Sequence, residues 1–249
     1  MESIVVYDSK PSLKDPIFIE CLPGIGNVGK ETGDFLAGSL KAKKFATIYS
    51  KNFPSQAILD NENIIDMTNN QLWYSKDVNG RDVIFLIGAF QCSTHEGQFE
   101  LCREIMSILL DYKISEIITL GGYGTGQMVE APRVFGAVTD LKIKKEYAGY
   151  GVEFPPGEPS AGIIGASGVF LGLGKIYSVP SICLMGETSG YFVDHKSAMA
   201  VVKILIKKLG VELDLKELID KSEQIDEITA KIKEVENRNC NCRDLGYIG

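Results

Sequence analysis

The run Ile17-Phe18-Ile19-Glu20-Cys21-Leu22-Pro23-Gly24-Ile25-Gly26-Asn27-Val28-Gly29 decides the fold class. Ile17 to Leu22 is a short apolar stretch of strand length, and Pro23 to Gly29 is a glycine-rich turn that ends it. From Asn27 to Leu40 the apolar residues Val28, Phe35, Leu36 and Leu40 fall at helical spacing. A buried strand, a glycine turn and a helix in that order are the opening unit of an α/β protein.

The same alternation continues along the chain. Phe45 to Tyr49 is a strand, and 57–77 has alternating character. Asn79-Gly80 lies between Trp73-Tyr74 and Val83 to Ile87, the signal of a hairpin. Val83 to Ile87 is continuously apolar, as in a strand covered on both faces. Phe99, Cys102, Ile105, Met106, Leu109 and Leu110 then mark a helix over Glu96 to Tyr112. Ile114 to Leu120 is a strand that closes in Gly121-Gly122-Tyr123-Gly124-Thr125-Gly126, and Ser181 to Met185 is the last interior strand. A small-residue helix is expected over Ile163 to Leu173, and another over Ala198 to Leu209. This order predicts a parallel or mixed sheet flanked by helices, with right-handed crossovers, over residues 1–210. Residues 211–236 carry Leu218, Ile225, Ile228, Ile232 and Val235 on one stripe of an amphipathic C-terminal helical arm, and 237–249 form a flexible tail.

Composition narrows the function classes. The net charge of −7 argues against nucleic acid, whose binders rely on a basic face. No apolar run is long enough to span a membrane, and the first residues lack the basic start and apolar core of a secretory leader, so a cytoplasmic protein is expected. There the six cysteines are thiols. Cys240-Asn241-Cys242 lacks the second pair that a closed zinc site needs, so no metal is expected.

Gly24-Ile25-Gly26-Asn27-Val28-Gly29 matches the G-x-G-x-x-G dinucleotide pattern in its proper setting after a strand. The second strand, however, ends in Tyr49-Ser50-Lys51-Asn52, without the acid that would hold a ribose. Gly24, Gly26 and Gly29 are therefore read first as a close-packing turn. Gly121, Gly122 and Gly124 stand at a strand's C-terminal end, where α/β sheets bind ligands, but lack the Lys-Ser/Thr pair of a phosphate loop. His95 follows Cys92-Ser93-Thr94 too closely for an unstrained Cys–His pair, and Thr94 fits a helix N-cap better. His195 follows Asp194, another cap candidate. No catalytic residue and no cofactor is assigned. The competing expectation is a nucleoside phosphorylase or hydrolase, or an NAD(P)-binding protein, using the glycine-rich loops.

Pro23 to Gly29, the Gly121-Gly122-Tyr123 loop and Gly165-Ala166-Ser167-Gly168-Val169-Phe170-Leu171-Gly172-Leu173, in that series, resemble the proteasome assembly chaperone family, archaeal members above all. The resemblance implies a nucleoside-phosphorylase-type α/β fold, a homo-oligomer, and ATP-independent binding to α subunits of the proteasome core particle. It also implies docking by a C-terminal hydrophobic-tyrosine-any tail whose carboxylate pairs with a pocket lysine. Here that segment reads Leu245-Gly246-Tyr247-Ile248-Gly249, with the tyrosine one place early and glycine before it. Leu245, Tyr247, Ile248 and Gly249 are the expected partner contacts.

Overall fold

A computed structural model describes residues 3–59, 62–160 and 162–225. Its strands in chain order are Ile4–Tyr7 (β1), Ile17–Cys21 (β2), Lys43–Tyr49 (β3), Ala57–Leu59 (β4), Ile65–Met67 (β5), Asn69–Val78 (β6), Arg81–Gly88 (β7), Glu116–Gly124 (β8), Val134–Val138 (β9) and Ser181–Thr188 (β10). The helices are Val28–Ser39 (α1), His95–Asp111 (α2), Leu141–Tyr150 (α3), Ala166–Ile176 (α4) and His195–Leu209 (α5), followed by a helical stretch over 216–225.

Eight strands form one mixed sheet in the order β1-β3-β6-β7-β2-β8-β10-β9, and β4 and β5 pair separately as a small hairpin. The four central strands, β7, β2, β8 and β10, run parallel, and the outer pairings are antiparallel. All five residues of β2 are buried, which is why its sequence shows no polar alternation. Ile17, Ile19 and Cys21 pack on the face covered by α1, α3 and α5. Phe18 and Leu22 pack on the opposite face, under α2 and α4, where the Phe18 and Phe170 rings meet edge-on at 5.1 Å. Each such apolar side chain stabilises the fold by about 1.5–3 kcal/mol.

The helix starts follow from their caps. Thr94 accepts from the Gly97 N–H, Asp140 from Lys142 and Ile143, and Asp194 from Ser197. Each bond satisfies a backbone donor that the first turn leaves without a partner. The expected Asn79-Gly80 turn joins β6 and β7, with both residues at positive φ (50° and 82°).

At the N-terminal end of β8, Lys208 of α5 lies 2.6 Å from Glu116 and 2.8 Å from Glu146, while the Tyr147 hydroxyl donates to Glu116 at 2.6 Å. This cluster ties α3 and α5 to the sheet. Beyond α5, Leu218 is buried in the same core as Val202 and Leu205. Ile225, also of the expected stripe, is half-buried in the helical stretch over 216–225, and Ile228, Ile232 and Val235 lie outside the described residues.

Candidate functional site

The C-terminal ends of β2 and β8 open into a cleft of about 720 Å³, whose floor includes Cys183 and Met185 of β10. Its position follows from topology: β2 lies between β7 and β8, and the chain leaves β2 for α1 on one face of the sheet but leaves β7 for α2 on the other. Residues 121–124 form one wall, 91–95 and Gln98 a second, and 158–165 (Ala161 apart) a third.

The two glycine loops contribute unequally. A side chain at Gly29 would stand 2.6 Å from the Leu120 carbonyl oxygen, and one at Gly122 only 2.3 Å from that of Ile25. Gly26, at φ 61°, is held against Thr188, and its carbonyl accepts from the Asp194 N–H at 2.9 Å. Gly24 and Gly121 have open space where a side chain would stand, and both line the cleft with Gly122 and Gly124. Gly26 and Gly29 do not line it.

Gln91 clamps the two elements that frame the cleft. Its amide donates to the Pro23 carbonyl at 2.7 Å and accepts from the Ala166 N–H at 2.9 Å. Beneath the floor, Glu20 is fully buried in an otherwise apolar strand. It accepts from the Leu22 N–H at 2.9 Å and from the Ser167 hydroxyl at 2.7 Å. Burial pushes its carboxyl up to about 7, against the pull of those hydrogen bonds. Glu20, Ser167 and Gln91 are functional candidates that sequence reasoning missed. The available signal was a lone acid inside the apolar run from Ile17 to Leu22.

Cys92 and His95 both line the cleft, but burial, with a contribution from Glu100, pushes the Cys92 thiol up to about 11. Burial does the same to Cys183, to about 12. Both thiols are therefore protonated at neutral pH and are poor nucleophiles and metal ligands. Glu158 at the rim accepts from the Tyr123 hydroxyl at 3.0 Å and from the Ser160 N–H at 3.1 Å. Among the described residues no group of three or more His, Cys, Asp or Glu side chains is placed to hold a metal ion, and no helix is long and apolar enough to cross a membrane. Leu245, Tyr247, Ile248 and Gly249, like Cys240 and Cys242, lie outside the described residues.

Similarity to known proteins extends over the whole of this architecture. An uncharacterized protein of Methanocaldococcus jannaschii is 31% identical over 252 aligned residues, covering 98% of this chain and 96% of that protein. The crystal structure of Pyrococcus furiosus PbaB, described as an archaeal proteasome activator, superposes with a TM-score of 0.87 at 36% identity, covering 93% of this chain and 99% of that one. Pyrococcus furiosus PbaA, described as an archaeal homolog of proteasome-assembly chaperone, superposes with a TM-score of 0.75 at 25% identity, covering 95% and 99%. The PAC2 family model matches residues 18–233, from the second residue of β2 to beyond the described helix after α5. The chain belongs to the PAC2 family.

Proposed function

We propose that this protein is an ATP-independent chaperone that binds the proteasome core particle or its α subunits and assists their assembly. It works as a homo-oligomer in the cytoplasm and docks partly through Leu245, Tyr247, Ile248 and Gly249. The observation that supports this reading is the likeness along nearly all of the chain to PbaB, described as a proteasome activator, at 36% identity and a TM-score of 0.87, together with the likeness to PbaA, described as a homolog of proteasome-assembly chaperone.

The docking step has a physical basis in the segment itself. One aromatic ring flanked by two aliphatic side chains can anchor in a pocket between subunits, and a single aromatic anchor often carries much of such an interface.

A pull-down of purified archaeal core particles and free α subunits by the full chain tests the reading. Capture is expected, and Tyr247→Ala or deletion of 245–249 should weaken it by tenfold or more, a loss of about 1.4 kcal/mol or greater. Undiminished capture by the deletion would remove the segment from the mechanism. Failure of the full chain to retain either cores or α subunits would end the proteasome reading.

A further inference from the structure

The cleft over β2 and β8 is large enough for a small molecule and framed by clamped elements. We propose that it binds a small organic cation, an ammonium or amidinium group carried on an apolar body.

Charge decides the class of ligand. The lining contains no lysine or arginine, and its carboxylate is Glu158. Both hydrogen bonds of Glu158 fall on Oε2, leaving Oε1 as an acceptor for a ligand. Behind Ser167, the buried Glu20 carboxyl accepts from neutral donors only, with no cation paired to it, and burial raises it to about 7. The protonated thiols Cys92 and Cys183 add no charge of their own. A phosphate, nucleotide or carboxylate would thus meet the Glu158 carboxylate, with His95 as the one basic side chain in the lining. One donor at each nearby helix start is already taken by a side chain: Thr94 accepts from the Gly97 N–H of α2, and Gln91 accepts from the Ala166 N–H of α4.

The remaining lining suits the rest of such a molecule. Leu22, Ile25, Leu120, Ile163, Ile164 and Met185 supply apolar surface for its body. Tyr123, its ring braced edge-on by Phe135 at 4.8 Å, offers an aromatic face beside Glu158 for the cationic head. A charge-assisted hydrogen bond to the free Glu158 oxygen fixes the orientation.

Three probes of nearly equal shape separate charge from hydrophobicity: n-hexylamine, n-hexanol and sodium hexanoate, compared at one ionic strength near neutral pH. Thermal unfolding gives affinity, because a ligand selective for the native state raises its apparent stability. Methyl NMR of Ile163, Ile164 and Met185 gives location. Hexylamine should raise Tm and shift those methyls, hexanol should do so less, and hexanoate should do neither. Glu158→Gln, at the rim and outside the core, should weaken hexylamine binding about tenfold while leaving hexanol unchanged. Hexanoate binding as well as hexylamine, equal hexylamine binding by Glu158→Gln, or no methyl shift with any probe would each overturn the proposal. Core-particle capture is scored separately, so either result stands without the other.

Discussion

Replacing Glu20 by Gln tests whether a buried acid under the cleft sets the pH dependence of stability. The carboxyl is displaced from 4.5 to about 7, chiefly by burial. At about 1.4 kcal/mol per pH unit, ionised Glu20 costs the native state about 3 kcal/mol relative to its protonated form. The sign follows from proton counting. Between 4.5 and about 7 the native chain holds a proton that the unfolded chain has released, so this residue's contribution to stability falls as pH rises through that window. It is level below the window and level again above it. Glu20→Gln keeps the shape and a carbonyl to accept from Leu22 but cannot ionise. Urea unfolding at pH 5 and pH 8, at one protein concentration, measures both proteins. Every other titrating group is common to the two and cancels in their difference. The stability of the variant relative to the native sequence should therefore rise by about 2.5 kcal/mol from pH 5 to pH 8. A difference that stays constant between the two pH values would refute the reasoning.

Gly29→Ala should destabilise by about 1–3 kcal/mol in urea unfolding, because its new carbon meets the Leu120 carbonyl at 2.6 Å. Gly24→Ala, with open space, should stay within about 0.5 kcal/mol, and equal losses would contradict the geometry. Lys208→Met should cost about 3–5 kcal/mol by leaving Glu116 and Glu146 without their shared cation, and adding Glu116→Gln should recover part of the loss in the same assay. In a thiol titration near pH 8, Cys21, Cys102 and Cys183 should stay silent in the native protein and react only on unfolding, since burial holds all three as thiols.

Much of the core was legible because its signals are local. β2, β7, β8 and β10 are apolar runs of strand length, and Thr94 and Asp194 announce the starts of α2 and α5. Three elements were not legible. β1 holds an edge of the sheet with Ile4, Val6 and Tyr7 exposed, so its sequence shows no buried alternation. β9 is interrupted by Gly136, where a side chain would run into Phe154 and Val152, a contact made by a distant loop. α3 buries only Ile143 and Tyr147, and its lysines read as a solvated charge run. The cleft was legible only in part: Gly121, Gly122 and Gly124 were found from their place at a strand end. Gln91 and Ser167 become site residues through contacts across 75 and 147 positions of sequence, which no local pattern carries.

The glycine turn after β2 shows why a motif and its usual chemistry can separate. A dinucleotide site needs backbone N–H groups and a helix N-terminus that remain open to pyrophosphate. Here Gly29 lets α1 settle on the Leu120 and Leu22 carbonyls, and Gly26 settles on Thr188 while its own carbonyl is taken by Asp194 at the start of α5. The close approaches that glycine permits are thus made by protein backbone and side chains. What faces the cleft is Gly24, Gly121 and Gly124, surrounded by apolar walls and a rim carboxylate in place of a cationic cradle. The same sequence pattern therefore yields a packed hinge between strand and helix, and the electrostatics of the space beside it select against the anionic ligands the pattern usually serves.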